Sequence, residues 1–146
     1  MAIEIESVDN LLLVRGEGKD LDLDEAKRFM AALDVFFEER RGFVAIVDAR
    51  GLSKVPADVR HAIGEHRKSR RADAPDIELG VILITDSIVV RGALTALSWV
   101  SGEFNSQHAV SDRVAARAAA LEAFAASGLT VPETTRAALE RFVAEG

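Results

Sequence analysis

The segment Phe43-Val44-Ala45-Ile46-Val47 is apolar at every position, stops at Asp48, and leads through a short polar loop into an amphipathic stretch that runs to Lys68. A strand without alternation must be buried on both faces, as strands are inside a parallel, helix-covered sheet. Leu79-Gly80-Val81-Ile82-Leu83-Ile84-Thr85 repeats the pattern and again ends at an acid, Asp86. Two such strands joined by a helix predict a parallel pair. The carboxyl ends of such strands, with the loops that follow, are where open α/β sheets place their binding surfaces.

The flanks extend this arrangement. Ile3, Ile5 and Val8, followed by Leu11 to Gly16, read as an amino-terminal β-hairpin with Asp9-Asn10 as its turn. Ala26, Phe29, Met30, Leu33, Phe36 and Phe37 recur at helical spacing and predict a helix from Asp22 or Asp24 to Arg41, closed by Gly42. Pro56 marks the first turn of a second helix that runs to about Arg71, with Val59, Ala62 and Ile63 inward. A third helix, capped by Asp86 or Ser87, carries Val89, Ala93, Leu94, Leu97 and Val100 and closes at Ser101-Gly102. Gln107-His108-Ala109-Val110 is a short strand. Ser111 or Asp112 then caps an alanine-rich helix to about Ala126, with Val114, Ala118, Leu121 and Phe124 inward and Gly128 at its end. A last helix, from Pro132 through Val143, presents Ala138, Leu139 and Phe142 to its own body or to another copy. The order predicts an α/β class with a mixed β-sheet and flanking helices. Residues 1–128 form the domain, and residues 129–146 form an additional C-terminal helix packed on it or on a partner subunit.

Composition narrows the chemistry. A length of 146 residues suits one domain. The absence of cysteine excludes disulfides, thiolate catalysis and sulfur-ligated metals. A net charge of −6 opposes non-specific nucleic-acid binding, which depends on neutralising phosphates. No apolar run reaches membrane-spanning length, and Met1-Ala2-Ile3-Glu4-Ile5-Glu6 alternates rather than forming a leader, so the expected location is cytoplasmic.

Arg60, His61, His66, Arg67, Lys68, Arg70 and Arg71 make a basic stretch in an acidic chain. It suits an acidic partner, a phosphate or an anionic headgroup, or else it is a solvated helix face. His61 and His66 lie roughly 140° apart around a helix and His108 stands alone, so no histidine metal site is expected. Asp48 and Asp86, with Asp20, Asp22 and Asp24 nearby, suit acid–base or metal chemistry, although aspartates at strand ends serve equally as caps. Gly16-Glu17-Gly18 lacks the spacing of a dinucleotide loop. No serine–histidine–aspartate set or nucleophile elbow is present, so neither an enzyme nor a cofactor is expected. Val89, Val90, Leu94, Leu97, Trp99, Val100 and Phe104 form an apolar group that lines a pocket or packs the core.

The run Val44-Ala45-Ile46-Val47-Asp48-Ala49-Arg50-Gly51-Leu52 resembles the SpoIIAA-like branch of the STAS superfamily, the anti-sigma-factor-antagonist-like fold. So do the segment from Val81 to Leu97 with Asp86-Ser87 and Arg91, and Val110-Ser111-Asp112 followed by Ala118, Leu121 and Phe124. The resemblance spans about residues 1–126 and implies a non-catalytic regulatory protein-interaction module. Its implied partner is a protein, a regulatory kinase or a sigma-factor regulator, with a homodimer as a further assembly. The implied partner surface comprises Asp48, Arg50, Ser53 and Arg60, extended by Arg67 and Arg71 and by the corner Asp86, Ser87 and Arg91. Phosphoswitch members of the family carry an Asp-Ser pair where this chain has Pro56-Ala57, and alanine accepts no phosphate, which leaves Ser53 and Ser87 as nearby hydroxyls. The related SEC14-type fold implies an alternative, a lipid or other apolar small molecule held by Val90, Leu94, Leu97, Trp99 and Phe104. A hydrolase using Asp48 and Asp86 is the third reading.

Overall fold

The computed structural model describes residues 3–16, 21–51, 55–86 and 107–146. Strands β1 (Ile3–Val8) and β2 (Leu11–Gly16) pair antiparallel with Val8 opposite Leu11, so Asp9-Asn10 is the whole turn. Asp9 adopts a left-handed φ of 49°, a conformation that short polar side chains tolerate. The Asn10 side-chain amide donates to the Gly42 carbonyl at 2.9 Å, which ties the hairpin to the entry of β3 (Phe43–Asp48).

Helix α1 (Leu23–Glu39) begins with a capping box: Glu25 N donates to Asp22 Oδ1 at 2.8 Å and Asp22 N donates to Glu25 Oε1 at 3.4 Å. It ends at Glu39, three residues before the glycine expected to close it. Arg40 takes the left-handed position, φ 53°, and Arg41 N returns to the Phe36 carbonyl at 2.9 Å. Gly42 is instead a close-packing position, because a Cβ there would lie 3.3 Å from Leu79 Cδ1 and 3.4 Å from Leu129 Cδ1.

Helix α2 (Ala57–Asp73) follows Pro56, and β4 (Glu78–Ile84), β5 (Gln107–Val110), α3 (Arg113–Ala126) and α4 (Glu133–Glu145) complete the described elements. The sheet has five strands in the order β1-β2-β3-β4-β5. The β2–β3, β3–β4 and β4–β5 pairs are all parallel, so the sheet is mixed as expected. Side chains alternate between two covered faces. Leu12, Val14, Phe43, Ala45 and Val81 meet Leu33, Phe36 and Phe37 of α1, with the Phe36 ring stacked on Phe43 at 4.6 Å. Helix α2 packs on α1 through Ala26, Val59 and Ile63. On the opposite face Leu11, Leu13, Val44, Ile46, Ile82 and Ile84 meet α3 and α4.

The inward stripe of α3 differs from expectation. Ala116, Ala120 and Phe124 are buried, whereas Val114 is 54% exposed and Ala118 also faces outward. The small alanines let α3 lie close to the large Ile46, Ile82 and Ile84, so Phe124 and shape set the phase rather than Val114. Helix α4 docks on the same chain's sheet, with Ala138, Leu139 and Phe142 inside that core.

Candidate functional site

The carboxyl ends of the parallel strands bring Arg15, Asp48 and Asp86 to one edge, and Arg15 sits directly opposite Asp48 in the β2–β3 register. Asp48 falls on the face covered by α3 and is 6% exposed. Arg50 grips its carboxylate as a fork, with Nε donating to Oδ1 at 2.9 Å and Nη2 to Oδ2 at 2.6 Å. Arg113 Nε adds a third bond to Oδ2 at 2.9 Å. Burial pushes the Asp48 carboxyl upward, but the bonds from Arg50 and Arg113 outweigh it and hold the group below the usual carboxylate range. The Arg50 guanidinium is raised by its bond to Asp48, and Asp112 and Asp86 add to the field that holds it charged. Asp48 is therefore a fixed anion that positions two arginines, poorly suited to donating or taking protons.

Sequence reasoning missed the other half of this edge. Arg113 opens α3 and Glu145 closes α4, each carrying the charge sign that its helix end disfavours. The two neutralise one another, with Arg113 Nη1 donating to Glu145 Oε2 at 3.2 Å and to the Phe142 carbonyl at 2.8 Å. Arg15 also reaches Glu145, Nε to Oε2 at 2.9 Å and Nη2 to Oε1 at 3.1 Å, while its Nη2 bonds Glu6 at 3.2 Å. The Phe142 ring supports both guanidiniums, 4.1 Å from that of Arg113 and 5.2 Å from that of Arg15. Charges opposed to a helix dipole were the signal in the sequence that could have found this pair.

The expected basic face of α2 is divided. Arg67 is 2% exposed, and its Nε and Nη2 donate to Glu78 Oε1 at 2.9 Å and Oε2 at 3.0 Å. It is withdrawn from the partner surface on that ground, because a guanidinium sealed in the interior meets no partner. Arg71 also donates to Glu78, at 3.1 Å, and is half-buried there. Asp34 of α1 accepts from Arg70 and contacts His66 Nε2 at 2.8 Å. These internal acids explain most of the positive run. Arg60, half-buried in the first turn of α2, and the exposed Asp86 remain at the carboxyl edge, and Pro56-Ala57 forms the start of α2 as counted from the sequence. Ser53, Ser87 and Arg91 lie outside the described residues, as do Val90, Leu94, Leu97, Trp99 and Phe104, and Asp20.

A groove of about 640 Å³ opens at the opposite edge of the sheet, lined by Asp76, Glu78, Leu79, Glu122 and the alanines of α3. Among the described residues no group of three or more histidine, aspartate and glutamate side chains is arranged to hold a metal. No helix among them is long and apolar enough to cross a membrane.

No family model matches the chain, and no curated protein matches it by sequence. Its fold is shared with solved structures. SpoIIAA, an anti-sigma factor antagonist, in its unphosphorylated form is 16% identical with a TM-score of 0.55, over 89% of this chain and 100% of that one. An anti-sigma factor antagonist from Mycobacterium paratuberculosis is 13% identical with a TM-score of 0.51, over 82% of this chain and 92% of that one. The chain thus has the SpoIIAA-like STAS fold that its strand and loop pattern resembles.

Proposed function

We propose that this protein is a regulatory, non-catalytic interaction module of the anti-sigma-factor-antagonist type, docking a protein partner at the carboxyl edge of its sheet. The carrying observation is the state of Asp48, a buried carboxylate at that edge held as an anion by Arg50 and Arg113. A carboxylate acting as general acid or base has to exchange protons near working pH, whereas this one is bonded as an anion by two arginines. The shared fold supports the reading, since both solved relatives are anti-sigma factor antagonists by name. The proposed surface consists of Arg50, Arg60 and Asp86 around the Asp48 anchor, with Ser53, Ser87 and Arg91 included as their neighbours in sequence; Arg71, bonded to Glu78 at the far end of α2, lies at the other edge and is dropped from it. Ala57 at the start of α2 carries no hydroxyl, so regulation by a phosphate at that position is not part of the reading.

A lipid-carrier role gains nothing from the groove among the described residues, which is lined by Asp76, Glu78 and Glu122 and lies at the other edge. The test is photo-cross-linking in the native cell, with a benzophenone amino acid placed at Arg60 or at Asp76 on opposite edges. A discrete protein adduct from the Arg60 position, lost on adding Arg50→Glu and missing from the Asp76 position, is the expected result. Equal adducts from both edges, or none from Arg60, would overturn the assignment.

A further inference from the structure

Glu145 is held more like a ligand than like a structural side chain. Two donors from different elements, Arg15 Nε of β2 and Arg113 Nη1 of α3, converge on its Oε2 at 2.9 and 3.2 Å, and Arg15 Nη2 bonds its other oxygen at 3.1 Å. The host is buried and the guest is not: the side chains of Arg15 and Arg113 are 13% and 11% exposed, that of Glu145 40%. Both guanidiniums also have anchors that do not depend on Glu145. Arg113 keeps Asp48, Arg15 keeps Glu6, and the Phe142 ring lies against both. Glu145 is the last residue of α4, at the end where the helix dipole disfavours a negative charge, so withdrawing it loses little of the helix. Its departure strips Arg15 Nε of its bonding partner and leaves a two-point fork facing outward. Forks of this kind match a planar carboxylate.

The geometry points to a carboxylate seat formed by Arg15 and Arg113, filled in cis by Glu145 and open to a carboxylate on an acidic partner segment that displaces it. Displacement by an acidic partner rests on the partner-docking reading above; the seat itself does not. A latch that is closed about nine-tenths of the time weakens an external ligand about tenfold, which makes the last turn of α4 a built-in competitor.

The test uses the full chain and small anions without any partner, so failure of the seat is distinguishable from failure of the docking reading. Acetate is titrated into wild type, Glu145→Ala and Glu140→Ala while the Nε–H resonances of Arg15 and Arg113 are followed by NMR. Glu140 pairs with Arg117 on the outer surface of α4 and controls for loss of charge alone. The expected result is saturable shifts at both arginines in Glu145→Ala, with a dissociation constant about tenfold below that of the other two proteins. Phe142 ring contacts to Arg113 report that α4 stays docked, and Glu145→Gln supplies a second, isosteric variant with the same expected order if the alanine protein loses them. Shifts that fail to saturate, or that are equal in all proteins, would overturn the seat. Inorganic phosphate binding more tightly than acetate would overturn its assignment to carboxylates.

Discussion

Arginine meets carboxylate at both edges of this sheet, in opposite settings. At the amino end of β4, Arg67 forks Glu78 beneath α2, with side chains 2% and 0% exposed, and Arg71, 27% exposed, adds one further bond to the same acid. At the carboxyl end of β3, Asp48 is nearly as deep and Arg113 is only 11% exposed, but the arginine that forks the acid, Arg50, reaches outward at 31% exposed. A buried pair with both members enclosed serves the fold, because removing either charge strands the other in a low dielectric. A buried acid forked by a partly exposed arginine instead presents a fixed, oriented positive group. Burial of the acid alone therefore does not separate the two edges; the exposure of the arginine that holds it in a fork does, Arg67 at 2% against Arg50 at 31%.

The sharpest way to break this distinction is Glu78→Ala, expected to cost about 3–5 kcal/mol in urea unfolding because it strips a carboxylate from two guanidiniums. A loss under about 1 kcal/mol would mean that the amino-edge pair is not enclosed. Phe142→Leu keeps most of the apolar volume but removes the ring under Arg15 and Arg113, and about 2 kcal/mol is expected. Asp48→Asn should cost slightly less, about 1.5–2 kcal/mol, since the amide still accepts some of the bonds from Arg50 and Arg113. Its signature is in pH. The folded carboxyl is depressed, so its stabilisation is complete above the ordinary aspartate value of about 3.9 and disappears as pH falls through the lower folded value. Thermal melts of wild type should therefore fall steeply below that point, and Asp48→Asn should flatten the slope. Arg117→Ala, which removes an exposed pair with Glu140, is expected to change stability by less than about 0.5 kcal/mol.

The sheet could be read from the chain because burial on both faces leaves unbroken apolar runs, as in β3 and β4. Helix starts were legible where an acid caps free amides, at Asp22 and Asp112. The phase of α3 was not, since alanine occurs on nearly every face and packs equally well at many rotations. Nor was the fate of Arg67. It stands in a run of bases whose solvated reading is the usual one, and only the acid Glu78 at the mouth of an apolar strand hinted that a cation had to come inside. At the carboxyl edge Asp48, Arg50 and Asp86 were found from strand ends, while Arg15, Arg113 and Glu145 required knowing that α4 returns to β2.

Every strand in this sheet pairs with its neighbour in sequence, β1 with β2 through to β4 with β5. A ribosome delivering the chain from its amino end can therefore add each strand to a template already present, with no wait for a distant segment. The coverage of the two faces is less even in time. Helices α1 and α2 emerge between the strands, whereas α3 and α4 follow the whole sheet, so among the described residues the helices that cover Leu11, Leu13, Val44, Ile46, Ile82 and Ile84 arrive only with the last quarter of the chain, an interval after β4 emerges. That interval is when this protein most needs a chaperone, and binding of trigger-type chaperones to stalled nascent chains should rise as β4 emerges and fall once α4 is free to dock.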